Sequence, residues 1–243
     1  MKIKVIDVSK KIKKNIILDN INLEFNSGKV YGLVGKNGSG KTMLLRALSG
    51  LMHIDEGKIM LDDRILHKDF PVMPGIGITI ENAGLYPEFT GFNNLKILAK
   101  INNRIGNNEI RSAMERVGLD PDDKRTVRKY SLGMKQKIVI AQAIMEKPDI
   151  LFLDEPTNAL DTAGVGLVRN IIMEEKRRGA IIVLASHNKT DIELLADEII
   201  YIENGKIKEG AYEYINYVYI MRMYGYNWNN GNSDRSGIQE KLF

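Results

Sequence analysis

Gly35-Lys36-Asn37-Gly38-Ser39-Gly40-Lys41-Thr42 is the stretch on which the fold turns. It fits the phosphate-binding loop pattern of Gly, four residues, then Gly-Lys-Thr. Residues 29–34 before it read as a short buried strand, and residues 43–49 after it read as the first turns of a helix. Glycines let the backbone turn tightly, so successive N–H groups point inward as an anion nest, and the following helix adds its positive end. In such a loop Lys41 reaches the outer phosphates of a nucleoside triphosphate, and the Thr42 hydroxyl ligates Mg²⁺. The plainer reading is a glycine-rich turn with a surface lysine, and the strand–loop–helix context argues against it. The loop predicts triphosphate binding but does not say what the energy is used for.

The chain has 243 residues, enough for a well-buried core in one large domain or a domain with subdomains. Its hydrophobic content of 44% includes no apolar run of membrane-spanning length, and the opening Met1-Lys2-Ile3-Lys4 does not read as a signal peptide. Zero cysteines exclude disulfides and thiolate metal sites and suit a cytosolic protein. The net charge of +4 is mild. A basic cluster at Lys10, Lys11, Lys13 and Lys14 reads as a solvated turn, and nucleic acid is not expected as a partner.

Upstream of the loop, Ile3, Val5 and Val8 mark one strand and Ile21, Leu23 and Phe25 a second. Downstream, residues 58–66 with Asp62-Asp63 at the turn read as a hairpin. Residues 76–80 form a strand ending in Glu81-Asn82. Residues 92–101 and the spacing of Ile110, Ala113, Met114 and Val117 predict two helices, and Ser131-Leu132-Gly133 opens a third that Pro148 ends. Residues 150–153 are a continuous apolar run, as in a central parallel strand. A helix over 165–177, a buried strand over 180–185, a short helix over 192–196 and a hairpin across Asn204-Gly205 follow. Six of the ten tyrosines lie between Tyr212 and Tyr226, and Tyr214, Val218 and Met221 share a helical face, which predicts a packed terminal helix. The expected fold is α/β: a P-loop NTPase core with a parallel central sheet, an N-terminal antiparallel β-subdomain and an inserted helical subdomain over about 84–147. Residues 216–243 are the expected helix end and mobile tail.

A triphosphatase needs an acidic residue near the metal and a group that activates water. Asp154 ends the apolar strand, where a metal-binding aspartate belongs. Glu155, next to it, is the candidate general base. His187 ends the neighbouring strand, within reach of a γ-phosphate oxygen.

Five features together resemble the ATP-binding subunits of ABC transporters. They are the loop at 35–42; Tyr130-Ser131-Leu132-Gly133-Met134-Lys135-Gln136, similar to the family signature; residues 151–156 as Walker B with its glutamate; Asn158-Ala159-Leu160-Asp161 as the D-loop; and Ser186-His187 as the switch histidine. The resemblance covers roughly residues 1–215 and implies an ATP-hydrolysing subunit, with ATP and Mg²⁺ as its ligands. Gly35, Lys36, Asn37, Gly38, Ser39, Gly40, Lys41 and Thr42 would bind nucleotide. Thr42, Asp154 and Glu81 would hold the metal, and Glu155 and His187 would be catalytic. Ser131 and Gly133 would complete the γ-phosphate site of a second copy, or of a paralogous subunit, in a head-to-tail dimer. A separate transmembrane permease subunit is the implied partner, which places the chain in the cytoplasm, peripheral on the inner face of the membrane. It would dock near residues 83–95, with Tyr86, Phe89 and Phe92 as exposed contacts. The signature form and residues 80–87 look most like subunits of lantibiotic- or bacitracin-type export systems.

Two departures from the family stand out. Glu81 occupies the usual place of a glutamine, and no glutamine occurs between Thr42 and Lys135. Ile12 stands near the usual place of an adenine-stacking aromatic, a role Tyr31 or another ring would have to fill. Two other readings compete with this one. A soluble ABC ATPase acting on ribosomes or DNA usually has paired ATPase domains or long coiled-coil insertions, which are absent here. Asn188-Lys189-Thr190-Asp191 spells the guanine-recognition pattern of GTPases, but Asp154 is followed by Glu-Pro-Thr and not by the Asp-x-x-Gly of a GTPase switch.

Overall fold

A computed structural model describes residues 1–80 and 84–208 and the strand pair Glu213–Tyr214. The chain runs β1 (Lys2–Ile12), β2 (Asn15–Asn26), β3 (Val30–Val34), α1 (Lys41–Ser49), β4 (Glu56–Leu61), β5 (Arg64–Ile65), β6 (Ile76–Thr79), α2 (Gly91–Asn102), α3 (Asn107–Arg116), α4 (Leu132–Ile144), β7 (Ile150–Asp154), α5 (Thr162–Arg177), β8 (Ile181–Ala185), α6 (Lys189–Leu195), β9 (Glu198–Glu203), β10 (Lys206–Ile207) and β11 (Glu213–Tyr214). Among these residues no helix is long and apolar enough to cross a membrane.

Four strands make an antiparallel sheet in the order β2-β1-β4-β5. Its inner face is built from Ile3, Val5 and Val8 with Ile21, Leu23 and Phe25. The spacing from Val5 to Val8 breaks the two-residue period. A bulge restores it, because the register shifts between Val5 and Val8 and Asp7 takes a φ of 50°.

The second sheet runs β10-β9-β3-β8-β7-β6, with β3, β6, β7, β8 and β9 all parallel. Both its faces are covered, so its strands are apolar throughout. Leu151 and Leu153 of β7, with Ile182 and Leu184 of β8, face a core shared with α2 to α6. Ile150, Phe152, Ile181 and Val183 face a second core, shared with α1 and the antiparallel sheet. Each large side chain buried this way contributes about 1.5–3 kcal/mol.

Helices α2, α3 and α4 fill the stretch between β6 and β7. Ile138, Ala141 and Ile144 recur along α4 at helical spacing and are buried. The seam between α4 and the sheet is tight at Gly77 of β6, where a Cβ would lie 1.9 Å from the Ala143 carbonyl oxygen. Among the residues with a described structure, the expected terminal helix is overturned at Tyr214, which pairs as a strand with Glu198. The cross-strand backbone of β9 offers an open edge there, and edge pairing wins over the local helical pattern. Val218 and Met221, and the stretch 216–243, lie outside the described residues, as does Glu81.

Candidate active site

The C-terminal ends of β3, β7 and β8 lie side by side, the usual position of a ligand crevice in a parallel sheet. The loop at 35–42 leaves β3 there and enters α1. Gly38 and Gly40 take φ values of 79° and 113°, which side chains rarely adopt. α2, α4, α5 and α6 are each capped by a side-chain oxygen, from Thr90, Ser131, Asp161 and Asn188. α1 begins at Gly40 with no such cap, so its first N–H groups and its positive end face the loop. The Ser39 hydroxyl is buried there without a hydrogen-bond partner. These are features an anion would satisfy, and the residues present fit a phosphate chain. Lys41 is buried, its Nζ donating to Gly35 O at 2.6 Å and Lys36 O at 3.3 Å, within the cradle itself. The β9–β10 turn braces the loop from outside: Gly205 N donates to Ser39 O at 2.9 Å.

Asp154, at the end of β7, meets the loop directly. The Thr42 hydroxyl donates to Asp154 Oδ2 at 2.6 Å. Asp154 N donates in turn to Thr79 Oγ1 at 3.0 Å, which ties β6 to the same point. A hydroxyl and a carboxylate side by side are hard oxygen donors of the kind Mg²⁺ takes, usually with waters and phosphate oxygens completing the shell.

Glu155 turns away from β7 at a φ of 47°. Its carboxylate is held by His187, with Nδ1 to Oε2 at 2.8 Å and the His187 backbone N donating to Oε1 at 3.1 Å. Ser186 Oγ lies 3.5 Å from the same carboxylate. Acid and histidine, separated by 32 positions in sequence, thus form one pair.

Ser131 caps α4, accepting from Met134 N at 3.1 Å. Gly133 sits in the first turn against Ala159, where a Cβ would come 2.7 Å from the Ala159 carbonyl oxygen. Asp161 caps α5 by accepting from Gly164 N at 2.8 Å.

Residues 18–158 match the profile of the ABC transporter family. The chain belongs to that family. It is 50% identical over 206 residues to an uncharacterized ABC transporter ATP-binding protein of Bacillus subtilis (strain 168), YybJ, spanning 85% of this chain and 94% of that protein. It is 37% identical over 205 residues to the lantibiotic transport ATP-binding protein SrtF of Streptococcus pyogenes, spanning 84% and 88%. It is also 37% identical over 209 residues to the bacitracin transport ATP-binding protein BcrA of Bacillus licheniformis, spanning 85% and 68%. A solved dimeric bacterial ABC transporter cassette shares the fold, with a TM-score of 0.79 at 22% identity over 88% of this chain and 99% of that one. The chain is thus the ATP-binding, ATP-hydrolysing subunit of an ABC transporter.

Some residues of this ABC subunit take places that sequence reading missed. Asp191, the last residue of the guanine-like Asn188-Lys189-Thr190-Asp191, is 1% exposed. Its Oδ1 accepts from Arg169 Nε at 2.8 Å and Nη2 at 2.6 Å, and its Oδ2 accepts from Thr157 Oγ1 at 2.6 Å. Asn188 is the cap of α6. The motif is therefore structural, with its carboxylate consumed inside the ABC core. Arg169 carries no local signal. Thr79 and Thr157 are single polar residues beside apolar strands, a weak signal that could have drawn attention. Tyr31 cannot stack on a base: it is fully buried, edge-on to Phe25 at 4.9 Å, with its hydroxyl accepting from Asn26 N. Ile12 is exposed at the end of β1. Tyr86 and Phe89 are exposed, but Phe92 is corrected: it packs partly buried against the core, flanked by the cations of Lys96 and Arg111. Lys10 of the basic cluster pairs with Asp55 at 2.6 Å, which uses one of its charges locally.

Proposed function

We propose that this subunit works as one half of a head-to-tail pair, with a second copy or a paralogue, and drives export of an antimicrobial peptide through a separate permease. The observation that carries the catalytic reading is the convergence of the uncapped α1 start, the Thr42–Asp154 pair and the Glu155–His187 pair at adjacent strand ends. The peptide class is suggested by SrtF and BcrA, named for lantibiotic and bacitracin transport.

In this reading the residues from Gly35 to Gly40 wrap the phosphates with backbone N–H groups, and Lys41 turns from the Gly35 and Lys36 carbonyls to the outer phosphates. Thr42 and Asp154, with Glu81 as a further candidate, hold Mg²⁺, which neutralises phosphate charge when bound. Glu155 takes the proton of the attacking water, and His187 orients that carboxylate while offering its other nitrogen to the γ-phosphate. Ser131 and Gly133 present a hydroxyl and a helix start to the nucleotide of the other subunit. ATP then favours the closed pair, and hydrolysis releases it. The permease docks near Tyr86 and Phe89, at the cytoplasmic face of the membrane.

The test has two arms. Glu155→Gln is expected to form ATP-dependent dimers on a sizing column without turning ATP over, and to capture a polytopic membrane protein from detergent extracts. A variant that stays monomeric at saturating ATP, or captures ribosomes or DNA, overturns the reading. Comparing the Mg²⁺ dependence of hydrolysis in wild type and Glu81→Gln tests the metal role of Glu81, and identical profiles exclude it.

A further inference from the structure

Glu155 lies in a backbone region that few residues with side chains occupy, and such a conformation persists only where its surroundings over-determine it. Four contacts hold the turn that follows. Glu155 N donates to Ala185 O of β8 at 2.8 Å, and Asn158 N donates back to Glu155 O at 3.2 Å. Thr157 Oγ1 donates to the buried Asp191 at 2.6 Å. The fourth contact comes from α4. Gln136 Nε2 donates to Pro156 O at 3.1 Å and approaches Glu155 O at 3.4 Å.

α4 is the helix whose first turn carries Ser131 and Gly133, and Gly133 rests on the Ala159 carbonyl a few residues along the same turn. The start of α4 and the segment 155–159 are therefore joined at two points, one through the close seat of Gly133 and one through the Gln136 amide. A glutamine suits the second point. Its side-chain amide is neutral, and its NH₂ supplies two donors that reach two successive carbonyls.

We propose that Gln136 is a positioning residue that links the two nucleotide sites of the pair. The link rests on the head-to-tail reading above. There Ser131 and Gly133 of one copy act on the nucleotide of the other, whereas Glu155 acts on the nucleotide of its own copy. Gln136, one turn along α4 from Gly133, carries the seating of α4 against the neighbouring nucleotide into the position of the Glu155 carboxylate. A base misplaced by a fraction of an ångström loses rate without losing substrate.

Gln136→Met keeps the length of the side chain and removes its donors. The expected result is a kcat lower by roughly tenfold with KM within about twofold of wild type. ATP-driven dimerisation, followed by light scattering without Mg²⁺, is expected at the same ATP concentration as wild type. Gln136→Lys, which returns N–H donors at similar reach, is expected to recover most of the lost kcat. An unchanged kcat in Gln136→Met overturns the proposal. So does loss of dimerisation alongside kcat, because the residue then shapes the α4 surface and does not position the base. Should Gln136→Met melt below the assay temperature, Gln136→Glu decides, since its carboxylate faces two carbonyl oxygens: a kcat loss with dimerisation kept supports the proposal, and an unchanged kcat refutes it. Failure of the head-to-tail reading has its own signature, a wild-type chain that remains monomeric at saturating ATP, and that outcome also removes the link between sites.

Discussion

Replacing Asp191 with alanine removes the anion that ties three elements together behind the Glu155–His187 pair. Its carboxylate accepts two hydrogen bonds from Arg169 of α5 and one from Thr157, two residues past Glu155. It belongs to α6, the helix that follows His187. Alanine leaves the Arg169 guanidinium and the Thr157 hydroxyl without their acceptor. Breaking a buried ion pair by removing one partner costs about 3–5 kcal/mol. Arg169 is 28% exposed and keeps some solvent, so the lower end, about 3 kcal/mol, applies. At roughly 2–4 °C per kcal/mol for a chain of this size, Tm should fall by about 6–12 °C. Scanning calorimetry at matched concentration without nucleotide measures it, because bound ATP would mask the loss. Asp191→Asn, which keeps one acceptor, should fall between the two. The double variant Asp191→Leu with Arg169→Met should lose less than Asp191→Ala, because it leaves no uncompensated charge. A Tm within about 2 °C of wild type for Asp191→Ala would refute the assignment of this network as a structural clamp.

The remaining predictions concern catalysis, packing and pH. Glu155→Gln should lower the hydrolysis rate by about 10²–10⁴-fold while retaining ATP binding, read by phosphate release and fluorescent-nucleotide titration; equal rates would exclude Glu155 as the base. Gly77→Ala should destabilise by about 1–3 kcal/mol or more, because its Cβ would come 1.9 Å from Ala143 O. Gly166→Ala on α5, with nothing within 4 Å of the added Cβ, should stabilise by about 0.5–1 kcal/mol; urea midpoints in the reverse order would contradict the packing described. His67 stacks on His53 with ring centroids 3.9 Å apart. Burial, and then the neighbouring His53 charge, push its pKa below the usual histidine range. The unfolded chain therefore takes up the proton first as pH falls through about 6.5, and stability contributed by His67 should drop between pH 7 and pH 5. His67→Asn, which tolerates the φ of 65° at this position, should flatten that slope in urea titrations, and a slope equal to that of wild type would disprove it.

The loop at 35–42, the apolar run into Asp154-Glu155 and the signature were legible in sequence because each is contiguous. Their geometry follows from local rules: glycine at positive φ, a side-chain cap before a helix, alternation along a strand. The antiparallel and parallel sheets were legible for the same reason, through periodicity and turn residues. What sequence could not supply were contacts between distant positions. Thr42 meets Asp154 across 112 positions, and that bond exists only because β3 and β7 both flank β8. Asn188 to Asp191 spell a base-recognition pattern that the Glu-Pro-Thr after Asp154 argues against, and only the fold shows what the motif does: it turns Asp191 inward to Arg169 and spends its carboxylate there. Tyr31 was a candidate base platform until burial on both sides of β3 closed it off. At Tyr214 an edge of β9 was available, and backbone pairing overrode a helical pattern. Local chemistry is thus written in the chain, while whether a carboxylate meets the phosphate loop, as Asp154 does, or is spent inside the core, as Asp191 is, is decided by what the fold puts beside it.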